Sequence, residues 1–118
     1  MNFSPTETIT AIATPEGIGA LAIIRISGPD ALNILKQIFI PRNTKLSINN
    51  IKPNHAFLGK LINKNSRELI DQAVATFFAA PHSYTGEDLV EISIHGSEYV
   101  KKIALRNITE AGARIAEP

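Results

Sequence analysis

One stretch of this 118-residue chain gathers side chains able to do chemistry: Ser83-Tyr84-Thr85-Gly86-Glu87-Asp88-Leu89-Val90-Glu91-Ile92-Ser93-Ile94-His95-Gly96. It begins as a turn, with Pro81 and Gly86 bracketing polar residues, and from about Asp88 it alternates with a period of two. Val90, Ile92 and Ile94 then share one side of a strand, and Glu91, Ser93 and His95 the other. Three ligand-capable groups line one sheet face, although a half-buried antiparallel strand alternates in the same way merely to wet one side. Arg25 poses the complementary question from inside the otherwise apolar run 20–27. A guanidinium does not shed its charge, so it must reach solvent, pair with a carboxylate, or hold an anionic ligand. Glu91, next to apolar residues, needs hydrogen-bond donors for the same reason; Arg25 itself is one source of them.

Other chemistries lack their signatures. His55, His82 and His95 have neither i, i+4 nor clustered metal spacing, and backbone satisfaction at the start of a helix is the plainer reading of His95. Ser83 and Ser93 have no Gly-x-Ser-x-Gly context. The 84–88 segment reads as a hydrogen-bonded turn able to form one wall of a pocket. Gly17-Ile18-Gly19-Ala20-Leu21-Ala22 matches the alanine-ending dinucleotide fingerprint, but strand formers follow its glycines where a helix should open. No Gly-x-x-x-x-Gly-Lys-[Ser/Thr] occurs. No catalytic residue and no metal site is assigned.

The elements that must position these groups follow from periodicity. Residues 1–7 read as a loose lead-in, 8–14 as a first strand, 14–19 as glycine-bearing punctuation, and 20–27 as a strand covered on both faces. Ser27 and Asp30 have capping-box spacing, and Ala31, Ile34, Leu35 and Ile38 mark the face of a helix that Pro41 ends. Residues 41–53 form an irregular connection. Strands are expected at 55–62 and 69–80 around a turn at 63–66. A second helix over 97–111 stops at Gly112, and 114–116 make a last short strand. The sum is an α+β fold, with a mixed sheet of about five or six strands and two main helices.

The length suits one domain with a real core, and 44% hydrophobic against 19% charged residues is ordinary globular composition. A formal charge of +1 makes no electrostatic case for nucleic-acid or membrane binding. Zero cysteines exclude a disulfide framework, a Cys-based zinc site and a thiol nucleophile. With neither a signal-type leader nor a membrane-length apolar run, the sequence predicts a soluble, cytoplasmic protein.

Five blocks carry a resemblance. Thr8-Ile9-x-Ala11-Ile12-Ala13-Thr14-Pro15-x-Gly17-x-Gly19 comes first, followed by Ile24-Arg25-Ile26-Ser27-Gly28. Ser83-Tyr84-Thr85-Gly86-Glu87-Asp88-x-Val90-Glu91, His95-Gly96 and Gly112-Ala113-Arg114-x-Ala116-Glu117-Pro118 complete the order. Together they resemble the N-terminal domain of the MnmE (TrmE) family of tRNA-modification GTPases.

The resemblance implies a fold like the folate-binding domain of the glycine-cleavage T-protein. It implies a homodimer binding 5-formyltetrahydrofolate or 5,10-methylenetetrahydrofolate, with Arg25 and Glu91 as cofactor-binding residues. A reduced pterin presents adjacent N–H donors that suit a carboxylate, and the folate tail is an anion that suits an arginine. The sequence leaves open which end of the folate Arg25 meets. Family members act with a flavin-dependent partner, MnmG, and a folate one-carbon unit to install a carboxymethylaminomethyl-type group on the wobble uridine of certain tRNAs.

GTP, Mg and K belong to a GTPase domain expected outside residues 1–118, as are a helical domain and a folate-contacting lysine. The chain is therefore expected to be a single binding and dimerisation domain without catalysis of its own. A dimer scaffold with an incomplete folate pocket and a folate-dependent one-carbon transferase are the alternatives. One departure from the family pattern is His95-Gly96-Ser97-Glu98, where His-Gly-Gly-Pro is usual; Ser97 makes the better cap and Glu98 suits the helix dipole.

Overall fold

Alternation of apolar and polar residues builds most of this molecule, a computed structural model describing residues 7–14 and 19–116. The lead-in at 1–6, the part of the glycine punctuation at 15–18, including Gly17, and the pair 117–118 lie outside the described residues. The strands are β1 (Ile9–Ile12), β2 (Leu21–Ser27), β3 (Phe39–Pro41), β4 (Ala56–Ile62), β5 (Leu69–Phe78), β6 (Leu89–His95) and β7 (Arg114–Ile115). They form one mixed sheet in the order β3-β4-β5-β6-β2-β1-β7, antiparallel except for the β1–β7 pair. Seven strands stand where five or six were expected. The strand expected at 114–116 is β7, and the unexpected one is β3, whose three residues are too short to carry a readable period.

Two helices, α1 (Ala31–Ile38) and α2 (Glu98–Glu110), pack on one sheet face. That face is built by Ala22, Ile24 and Ile26 of β2, Val90, Ile92 and Ile94 of β6, and Ala73, Ala75 and Phe77 of β5. Ile34, Leu35 and Ile38 of α1 and Ala104 and Ile108 of α2 close over it. Each fully buried isoleucine contributes roughly 1.5–3 kcal/mol relative to an exposed one. The run 20–27 is not covered on both faces as expected. Ile24 is fully buried, whereas Ile23 and Arg25 are half-buried and Leu21 is 62% exposed. Apolar composition had hidden a one-sided strand.

The helix boundaries have local causes. Ser97 caps α2, its hydroxyl accepting from the Val100 N–H at 3.0 Å, and Glu98 adds a negative charge to the first turn. Gly112, at φ +126°, lets the chain leave that helix. At α1 the expected Ser27 cap is absent. Asp30 occupies the cap position with no side-chain cap bond, and its own N–H donates to Thr8 Oγ1 at 2.9 Å. The helix ends where Phe39 turns extended and pairs with Leu61, so the chain passes from α1 straight into β3. No helix among the described residues is long and apolar enough to cross a membrane.

Candidate functional site

The antiparallel register decides which side chains meet. Arg25 lies opposite Glu91, with Ala11 beyond it on β1 and Thr76 beyond Glu91 on β5. This row crosses the face that carries no helix. Arg25 Nε donates to Glu91 Oε2 at 2.7 Å, and the side chains are 36% and 24% exposed. Among the described residues, that is the only hydrogen bond either side chain makes. Glu91 Oε1 and the two terminal guanidinium nitrogens therefore keep their bonding capacity. A neutral pair with a free acceptor at one end and free donors at the other suits a ligand that carries both an N–H edge and an anion.

The 79–88 loop folds back against this row. Tyr84 stacks on Arg25, with the guanidinium carbon 4.7 Å from the ring centroid. Contacts of this type contribute about 0.5–1 kcal/mol at exposed sites. Ser27 Oγ and Thr85 Oγ1 share a hydrogen bond at 2.6 Å, and the Gly28 N–H donates to the Asp88 carbonyl at 2.9 Å. Within the loop the Ala80 N–H donates to Asp88 Oδ1 at 2.9 Å, and Gly86 turns at φ +81°. The serine taken from the sequence as a helix cap is instead the anchor of this loop. Thr85→Val is expected to lower stability by about 1 kcal/mol in urea unfolding, because it leaves the buried Ser27 hydroxyl unpartnered. Thr85→Ser should stay within about 0.5 kcal/mol of the parent. Equal stability of the valine variant would show that the hydroxyl pair does not hold the loop.

His95 is not satisfied by backbone, contrary to the sequence expectation. Its Nδ1 lies 2.8 Å from Asp71 Oδ1, and its own N–H donates to Asp71 Oδ2 at 2.8 Å. Asp71 is the third residue of β5, beside the end of β6; no local pattern linked residues 24 positions apart. His55 Nδ1 is 2.9 Å from the Pro53 carbonyl oxygen, and the residue after it, Ala56, lies opposite Thr76 on the far side from Glu91. No group of three or more metal-ligating side chains gathers among the described residues. At the foot of β6, Gly96 meets the glycine-bearing segment directly. A Cβ there would stand 2.1 Å from the Gly19 carbonyl oxygen, so the backbone approach itself requires glycine.

Over residues 8–118 the sequence matches the family described as GTP-binding protein TrmE N-terminus. The chain belongs to this TrmE N-terminal family. It is similar to the tRNA modification GTPase MnmE of Aquifex aeolicus, 46% identical over 112 residues covering 95% of this chain and 23% of that protein. It is similar to the enzyme of the same name from Parabacteroides distasonis, 43% identical over 111 residues, 94% of this chain and 24% of that one. A third, from Nitratiruptor sp., is 43% identical over 118 residues, 100% of this chain and 25% of the relative. The chain thus spans about a quarter of the length of these relatives. In this TrmE N-terminal chain the described parts of the five motif blocks fall on β1, β2, β6, β7 and their flanking loops. The β3–β4–β5 half of the sheet carries none of them.

Proposed function

We propose that the chain is a single folate-binding and dimerisation domain of a tRNA wobble-uridine modification GTPase, working with MnmG. Glu91 would accept from the pterin N–H edge, and Arg25 would hold Glu91 in place while offering its remaining donors to the ligand. Tyr84 flanks the site. Bound folate supplies a one-carbon unit; the residues of this chain bind and orient it. The observation that carries the reading is the Arg25–Glu91 pair, in register on the helix-free face with one carboxylate oxygen and two guanidinium nitrogens unengaged. Self-association is supported by the same face, which also exposes Leu21 and, on the loop folded against it, Tyr84.

Calorimetric titration with 5-formyltetrahydrofolate tests the binding, and sedimentation with and without it tests the dimer. Arg25→Lys is expected to weaken binding about tenfold. The ammonium keeps the charge but presents neither the planar fork nor the Nε bond to Glu91. Full affinity in the lysine variant would remove the guanidinium from the site, and absence of any binding by the parent chain would overturn the proposal.

A further inference from the structure

The net charge of +1 conceals a strong segregation. From residue 31 to residue 67 the sequence has seven Lys and Arg and no Asp or Glu; all eleven acidic residues lie outside that segment, alongside five basic ones. The segment comprises α1, β3, the 3-10 turn Ile48–Asn50, β4 and the turn that follows, and it forms one edge of the sheet. Lys36, Arg42, Lys45, Lys52 and Lys60 are exposed. At the far end Arg67 donates to the Gln37 carbonyl at 3.3 Å, which brings the β4–β5 turn onto the end of α1.

Pairing sharpens the contrast. Arg25, Lys101, Arg106 and Arg114 each form an ion pair with a carboxylate. Among the described residues none of the seven cations of the segment does. Arg42 and Lys60 border a hollow of about 530 Å³ that Ile40 and Leu58 also line, with Thr44 and Gln72 as polar donors. β4, seven residues long and flanked by the edge strand β3 over Gly59–Leu61, spans roughly 20 Å at about 3.3 Å per residue.

We infer that the β3–β4 edge is a docking surface for the phosphate backbone of RNA, in the first place tRNA. The choice of RNA rests on the tRNA-modification reading above; the surface itself rests on charge and geometry. Unpaired Arg42 and Lys60 around one hollow, with exposed Lys45 and Lys52 on the connection between their strands, fit a polymer of regularly spaced charges, for which the distribution of charge matters and its net value does not. A bilayer would ask for more apolar surface than Ile40 and Leu58 present.

Fluorescence anisotropy of an unmodified tRNA transcript, with the 118-residue chain at 50–200 mM salt, tests this. The expected plot of log affinity against log salt has a slope of about −3, from about four phosphate contacts by Arg42, Lys45, Lys52 and Lys60. Joint replacement Arg42→Ala and Lys60→Ala should weaken binding at least tenfold and flatten the slope by about 2. Lys102→Ala with Arg106→Ala, on α2, should change neither. If the first pair lowers the melting temperature, Lys45→Ala with Lys52→Ala serves instead, with the same expectation. Three results would overturn the inference: no tRNA binding at 50 mM salt, equal losses in the α2 pair, or equal binding to polyglutamate or to phosphatidylglycerol vesicles. Folate titration of the same samples separates the two proposals. Folate binding without tRNA binding sinks this one alone, and tRNA binding without folate binding sinks the other.

Discussion

Glu91→Ala is expected to reduce affinity for 5-formyltetrahydrofolate by at least a hundredfold while leaving the fold intact. Two hydrogen bonds from the pterin edge to a carboxylate contribute roughly 1.5–3 kcal/mol each when shielded from water, and each 1.4 kcal/mol is about tenfold in affinity. The fold should survive because the Arg25 left behind is 36% exposed and can turn to solvent. An ion pair of this exposure contributes no more than about 1 kcal/mol to stability. Glu91→Gln keeps the shape and one good acceptor but loses the charge, so an intermediate affinity is expected. Calorimetry on the two variants, with a melting curve of each, is the measurement. Unchanged affinity in the alanine variant would remove Glu91 from the binding site.

The largest expected loss of stability comes from a single methyl group at Gly28. This residue has φ +138°, and a Cβ there would stand 2.5 Å from the Glu7 carbonyl oxygen and 2.6 Å from Thr8 Cα. Both neighbours are backbone, so no rotamer change relieves the overlap. Gly28→Ala therefore combines dihedral strain of about 1–3 kcal/mol with displacement of the chain leading into β1. A total of about 3–4 kcal/mol is expected, or roughly 10–15 °C in melting temperature for a chain of this size. Because Gly28 also donates to Asp88, folate affinity should fall with stability as the 79–88 loop loses its anchor. A shift under about 2 °C would show that this approach of Gly28 to the start of β1 is not maintained in solution.

Much of the frame was legible because its signals are local. Period-two alternation marked β6 and placed Val90, Ile92 and Ile94 inside, and i, i+3, i+4 spacing gave both helices their buried faces. Arg25 and Glu91 stood out as charges that each needed a partner, and they are partners. What could not be read depends on register between distant segments. Ser27 finds Thr85 rather than capping α1, and Asp71 reaches His95 across two strands; neither pairing leaves a trace in its own neighbourhood. β2 looked doubly covered because Ile23 and Leu21 are apolar on the side without helices. The cationic edge was legible in principle but lost when charges were added over the whole chain, where acids beside β5, β6 and α2 cancel it.

Strands β2 and β6 serve two masters by parity. Their even positions, from Ala22 to Ile26 and from Val90 to Ile94, sit in the oily layer, while Arg25 and Glu91 occupy odd ones. Replacements at these two odd positions can therefore retune what is recognised without touching what keeps the molecule folded, whereas the odd-numbered Ser27 and Leu89 are buried and belong to the frame. A protein engineer could exchange this carboxylate and guanidinium for another complementary couple and expect the same scaffold to present it.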